Sequence, residues 1–214
     1  PLCASQPRVW SSAGWSPAWV LGSMALLAAL VSLATLEKDG RIDGLARPKG
    51  KGAAHLGLVP VIGGAMVLIA FLTENAAENW SALHIEKSLG GSPADGAMGP
   101  ALMAITMGVA RLFGQGLAGR IAAVWLLSGG AAVSATGALT AALATSPGMA
   151  YAGFIVMGIG SSVIAPTVFS LVGRLANPEA RARAVARATL LGYFGYFFGP
   201  PLIGFIAGQF GLRF

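Results

Sequence analysis

The sequence has little charge, one cysteine, two histidines and, over one long stretch, no acid at all. Only 10% of its 214 residues are Asp, Glu, Lys or Arg, against about 25% in an average soluble domain. So thin a supply of charge cannot clothe a water-facing surface, which excludes an ordinary soluble fold. A hydrophobic content of 55% excludes disorder. The lone Cys3 excludes a disulfide within the chain and any cysteine metal cluster. His55 and His84 lie near the ends of apolar runs, so Ser161 and Ser162 have no base to meet at depth, and their Gly-x-Ser-Gly setting is also missing. No acid occurs between Asp95 and Glu179. Within that stretch Gly114-Gln115-Gly116-Leu117-Ala118-Gly119 fits GxGxxG, but no strand precedes it and no acid follows about 20 residues on, so dinucleotide binding is rejected. Asn79-Trp80-Ser81 fits a glycosylation sequon, a match short enough to arise by chance, and is set aside.

What the chain has is long apolar runs. Mean hydropathy is +0.72, and six runs, 15–36, 56–83, 98–119, 121–143, 149–175 and 186–210, each reach the length of about 20 residues that crosses a bilayer. They predict helices, because a lipid-exposed strand leaves its backbone unpaired and the alternation of barrel strands is absent. The expected fold class is all-α, a polytopic transmembrane helical bundle, with short links except at 37–55. A net charge of +6 and a pI near 10.1 suggest nucleic acid at first sight, but Lys and Arg sit between the apolar runs and form no stripe, so no nucleic-acid partner is expected.

The basic residues are topology signals instead. With alternating crossings, Lys38, Arg41, Arg47, Lys49, Lys51, Arg120, Arg174, Arg181, Arg183 and Arg187 fall on one side and Arg8, Lys87 and Arg213 on the other. The rich side is cytoplasmic by the positive-inside rule, so the first run enters from outside. Trp15, Trp19, Trp80 and Tyr151 then fall near outer boundaries and Trp125 near an inner one, as an aromatic belt requires. The chain opens on Pro1, and Arg8 is its only charge before Glu37, with no basic n-region ahead of a short apolar core. A piece of a longer protein is expected.

The strongest chemical signal lies in the second run: Glu74, Asn75, Glu78, Asn79, Trp80 and Ser81. At 100° per residue the two Glu, the two Asn and Ser81 share an arc of about 160°, with Leu72, Ala76, Trp80 and Leu83 opposite. Ionisable groups inside a membrane helix are costly unless they face a bundle interior or a wet cavity. Two Glu at i, i+4 repel when both are ionised, which points to a proton site. The competing reading ends the helix near Leu72 and leaves 74–81 as an outer loop. Arg111, inside the third run, reads either as a gating latch pairing with an acid or helix carbonyls, or as a snorkelling side chain near the membrane face. Gly158, Gly160 and Pro166 in the fifth run suit tight packing or a kinked cavity wall. In the last run Gly192, Tyr193, Gly195, Gly199 and Gly204 precede or flank Pro200-Pro201, which is expected to interrupt the hydrogen-bond ladder. Gly195 with Gly199, and Gly204 with Gly208, form small-xxx-small pairs for close helix contact. Arg181, Arg183 and Arg187 form a basic edge just before this run.

These motifs carry a family resemblance. The segment from Glu74 through Asn79-Trp80 to Ala82 is similar to the acid-rich end of the seventh helix of fucose-permease-like members of the Major Facilitator Superfamily. Gly158 through Pro166 to Gly173-Arg174 is similar to the tenth helix, and Gly192-Tyr193 through Gly199-Pro200-Pro201 to Gly204 to the eleventh. The resemblance implies that 1–36 ends an N-terminal bundle, that 37–55 is the cytoplasmic linker, and that 56–214 is an incomplete C-terminal bundle of five spans. It departs from the family pattern after the eighth helix, where Gln115 and Gly119 stand in place of an expected Asp beside Arg111 and Arg120.

The implied activity is that of a secondary active transporter in the inner membrane, moving a small molecule by alternating access with a proton or other coupling ion. Glu74 and Glu78 would bind the proton or cation. Asn75, Asn79 and Trp80 would line the cavity, and Arg111, Pro166, Gly192, Tyr193, Gly195, Gly199 and Pro200 would serve gating or packing. The partners implied are the lipid bilayer, the substrate, the coupling ion and the missing helices of the parent chain. No cofactor or metal is expected, and no enzyme. The rival is a non-transporting truncated membrane protein or structural half-bundle.

Overall fold

The structure, a computed structural model, describes residues 22, 25, 26, 29 and 30, 57–118 and 120–210. The chain divides into two units, Pro1–Lys51 and Gly52–Phe214. Of the expected first crossing at 15–36 only Gly22, Ala25, Leu26, Ala29 and Leu30 are described, all helical, and the linker at 37–55 lies outside the described residues.

The second unit is a run of helices: α1 (Val59–Leu83), α2 (Pro93–Ala118), α3 (Ala123–Ala142), α4 (Pro147–Ser162), α5 (Ile164–Leu175) and α6 (Arg181–Phe210). A single π turn, His84–Ser88, extends α1, and a 3₁₀ turn, Pro178–Ala180, precedes α6. No strand occurs among the described residues. Among the described residues five helical stretches are long and apolar enough to cross a membrane, with α4 and α5 together making one of them. They coincide with five of the six apolar runs.

The boundaries differ from the apolar runs for local reasons. α2 begins at Pro93 rather than near 98 because Ser92 and Asp95 cap it reciprocally. The Asp95 carboxylate accepts from the Ser92 backbone N–H at 2.8 Å, and Asp95 N–H donates to Ser92 Oγ at 3.3 Å. α4 starts on Pro147 after Ser146, whose hydroxyl accepts from the Met149 N–H. α6 begins at Arg181, five residues before the apolar run, so the basic edge is its first turns. Arg and Ala are strong helix formers, and Ala184 and Ala188 are buried there. Hydropathy marks where lipid begins, not where the helix begins.

Proline acts differently at two places. Pro166 has no N–H for the Ser162 carbonyl and its ring crowds that oxygen, and the rod breaks nearby at Val163. Pro200-Pro201 was expected to interrupt the last crossing. Instead α6 runs through both. The ladder lacks two donors, but the helix is held along its glycine face by α1, and packing overrides the local defect.

That face fixes the architecture. A Cβ at Gly64 would meet Leu191 and at Gly192 would meet Val67, while Gly195 abuts the Leu68 carbonyl, Gly199 the Asn75 side chain and Gly204 the Trp80 ring. Positions rise together along both helices, so α1 and α6 run parallel. α3 and α4 are antiparallel, with Gly160 against the Ser134 backbone, Gly137 against that of Met157 and Gly153 against that of Ala141. Contacts of this kind exist only where side chains are absent. Ser134 and Ser161 hydrogen-bond across this seam at 2.9 Å.

Two hydrophobic clusters result. One, toward Tyr151, gathers Ala77, Ile85, Met103, Met107, Phe154 and Met157. The other, toward Arg174, gathers Val67, Phe71, Val168, Val172, Ala184 and Ala188. On α1, Phe71 belongs to one and Ala77 to the other. Glu74 and Asn75 lie between them.

Candidate functional site

α1 continues unbroken through residues 74–81, so the reading of that segment as an outer loop is overturned. The polar arc is divided, however. Glu74, Asn75 and Ser81 are buried, whereas Glu78 and Asn79 are exposed. Neighbouring glycines decide which positions are covered: Gly99 of α2 lies over Ser81, and Gly199 of α6 over Asn75.

Glu74 is 2% exposed. Its Oε2 accepts from the Tyr196 hydroxyl of α6 at 2.9 Å, and its Oε1 lies 3.7 Å from the guanidinium of Arg111 on α2. Three helices therefore meet at one carboxylate. Phe71, one turn away on α1, packs against Tyr193 and Tyr196 with ring centroids 5.4 and 4.8 Å apart, fixing the tyrosines on that side. Arg111 keeps 44% of its side chain exposed, so its charge is shared between the buried acid and an open space.

The neighbouring turns carry unpaired polar atoms. Among the described residues, Glu74 Oε1, Asn75 Oδ1, Trp80 Nε1, Ser81 Oγ and His84 Nδ1 are buried without a hydrogen bond. Four of these five residues stand within 74–81 on α1. Unsatisfied polar atoms are rare in packed interiors, and these stand close together along one helix beside the Glu74–Arg111 pair. Asn79 spends its amide on the Asn75 carbonyl at 2.9 Å, and Trp80 lies half-buried against Gly204. His84 Nε2 lies 3.1 Å from the Ala141 carbonyl and ties the end of α1 to that of α3.

The other predicted residues are spread through the bundle. Gly192, Gly195 and Gly199 form the α1 contact, Tyr193 is exposed beside Phe71, and Pro200 lines a shallow hollow with Asn79, Trp80 and Glu86. Pro166 lies apart from Glu74, on the wall of a cavity of about 710 Å³ that Arg111 also lines. Sequence reasoning missed Tyr196, the hydrogen-bond partner of Glu74. Its neighbour Tyr193 stands three positions away in the same motif, and only the register of α6 on α1 tells them apart.

Comparison with known proteins places this arrangement. The profile described as Major Facilitator Superfamily matches residues 62–214. The chain is 35% identical over 144 residues to an uncharacterised MFS-type transporter of Yersinia pestis, covering 67% of this chain and 37% of that protein. It is 26% identical over 149 residues to membrane protein MosC of Rhizobium meliloti, covering 70% and 36%. It is 31% identical over 147 residues to an uncharacterised transporter of Sinorhizobium fredii, covering 67% and 38%. No solved structure gives a significant match. The chain thus spans well under half the length of these curated relatives, and its matched part takes in α1 to α6 almost whole. This chain, with several crossings of a membrane and a polar group at their centre, belongs to the Major Facilitator Superfamily.

Proposed function

We propose that the chain is part of a secondary active transporter that moves a small molecule by alternating access, coupled to the proton gradient through Glu74. In this reading 56–214 is the bulk of the C-terminal bundle, 37–55 the linker and 1–36 the end of the N-terminal bundle, with further helices of the parent completing the cavity. Arg120 beyond the end of α2, Arg174 in the last turn of α5 and Arg181, Arg183 and Arg187 in the first turns of α6 face the cytoplasm of an inner membrane.

One observation carries the coupling: Glu74 is 2% exposed at mid-crossing and is held from α2 and α6 at once. A carboxyl in that position has two states with different partners. Ionised, it draws Arg111 and accepts from Tyr196. Protonated, it loses its attraction for Arg111 and leaves the guanidinium to other anions. A change of charge at one atom is thereby a change in how three helices are tied together, which is what a coupled carrier requires. Glu78, one turn along α1 and exposed, serves as the relay by which protons reach Glu74. Asn75, Asn79 and Trp80 supply the polar wall. The names of the relatives in Yersinia pestis and Sinorhizobium fredii support transport as the activity.

The test is uptake into vesicles by the full-length carrier with Glu74→Gln. The variant keeps the shape of the side chain and can still accept from Tyr196, so the fold persists. Gradient-driven accumulation is expected to fall to the passive level while exchange at equal concentrations continues. Undiminished accumulation by Glu74→Gln would remove Glu74 from the coupling step.

A further inference from the structure

The acid-free stretch, residues 96–178, contains only three charged side chains, Arg111, Arg120 and Arg174. All three line the same cavity of about 710 Å³. They come from three places in the chain: α2, the link between α2 and α3, and the last turn of α5. We propose that this cavity binds a small organic anion, a carboxylate or phosphate on an apolar body, through these three arginines.

Orientation in the bilayer needs positive charge at the membrane face, but it does not need the charges to share one hollow. Like charges brought to one cavity repel, and low-dielectric walls focus their field into the space between them. Among the described residues only Arg111 has an acidic partner, Glu74 at 3.7 Å, and no acid lines the cavity. Guanidinium groups offer planar pairs of donors that match carboxylate and phosphate oxygens. Ser170 lines the same space and adds a hydroxyl donor, while the Ser162 hydroxyl is spent on the Ile159 carbonyl at 2.6 Å. Phe71, Leu126 and Phe169 give it an apolar wall for the rest of the molecule. The volume falls within the range of about 300–1,000 Å³ found for small-molecule sites.

As the class of cargo, the anion rests on the carrier reading above, because Arg111 is common to both sites: a bound anion and the Glu74 carboxylate compete for one guanidinium. As a binding site, it does not. The same chemistry is offered by a free organic anion and by the headgroup of an anionic lipid, and the two are separable.

The experiment is calorimetric titration of the full-length carrier with phenyl phosphate, without any gradient, in nanodiscs of neutral phosphatidylcholine. Saturable binding is expected, with benzyl alcohol failing to compete. Arg120→Gln and Arg174→Gln are each expected to weaken it about ten-fold, the ordinary effect of losing a charge-assisted hydrogen bond. Arg120→Lys and Arg174→Lys, which retain the charge at the membrane face, guard against a folding defect and are expected to lose less. No saturable binding, or parental affinity in both Gln variants, overturns the anion site. Repeating the titration with phosphatidylglycerol in the discs identifies the source: an unchanged affinity supports a free anion as cargo, whereas competition assigns the site to headgroups and overturns the cargo assignment. Failure of Glu74→Gln to uncouple uptake leaves this titration unaffected, so the two readings fail separately.

Discussion

The two ends of the helical unit are packed by different means. Toward Tyr151, α3 and α4 meet backbone to backbone through Gly137, Gly153 and Gly160, with one serine pair as the polar contact between them. Toward Arg174, α1, α5 and α6 meet with glycine against side chain, Gly63 on Val172, Gly64 on Leu191 and Gly192 on Val67, and a cavity with three arginines remains beside them. Glu74 and Asn75 stand at the junction. Backbone against backbone closes the α3 and α4 seam, while glycine against side chain leaves room beside α1 for Glu74, Asn75 and the arginines.

The largest expected effect breaks the seam. Gly160→Leu drives a side chain into the Ser134 backbone and should destabilise the chain by about 3 kcal/mol, the upper range for overpacking, read as a fall in the midpoint of thermal melting in detergent. Gly129→Leu is the control on the same helix as Ser134. That position meets open space, and its melting should hardly move. Next, Gly195→Ala sets a methyl against the Leu68 carbonyl at the level of the polar layer and should cost about 2 kcal/mol. If Gly195→Ala melts like the parent, the α1 and α6 contact is looser than the α3 and α4 seam and the contrast is sharper still.

Smaller effects test the junction itself. Tyr196→Phe removes the donor to Glu74 and should destabilise by about 1.5 kcal/mol, the scale of a hydrogen bond to a charged group. Combined with Glu74→Gln the loss should shrink, because the buried group deprived of the Tyr196 donor is then a neutral amide, and a double-mutant cycle measures the difference. Glu78→Gln, at an exposed position, should change melting by less than about 0.5 kcal/mol. Equal effects of Glu74→Gln and Glu78→Gln on stability would contradict the division of the polar arc.

The crossings were legible because hydropathy reports the solvent each stretch needs, and it does so over a window of many residues. Their ends were less so. The cap at Ser92 and Asp95 and the early start of α6 depend on local hydrogen bonds and on alanines whose burial requires α1 to be in place. The polar character of 74–81 could be read directly, and so could Arg111 as a candidate partner for an acid. Which acid it meets could not, since pairing depends on how the α1 and α2 hairpin is aligned. Tyr196 lies 122 positions from Glu74, and helical periodicity says nothing about contacts between helices so far apart. For the same reason 100° per residue grouped Glu74 with Glu78 while the fold separates them. Pro166 and Pro200-Pro201 carry the same local signal, and only their surroundings decide that one breaks a rod and the other pair does not.

The break at Val163 gives one crossing two allegiances. Before it, the rod is held backbone to backbone on α3 as far as Gly160; after it, Ala165, Val168 and Val172 join the cluster of α1 and α6, which Leu127 of α3 also borders. One crossing thereby ties the α3 seam to the α1 and α6 pair through a single joint, and the arginine cavity lies in its crook, with Ser162, Val163 and Ala165 on the wall.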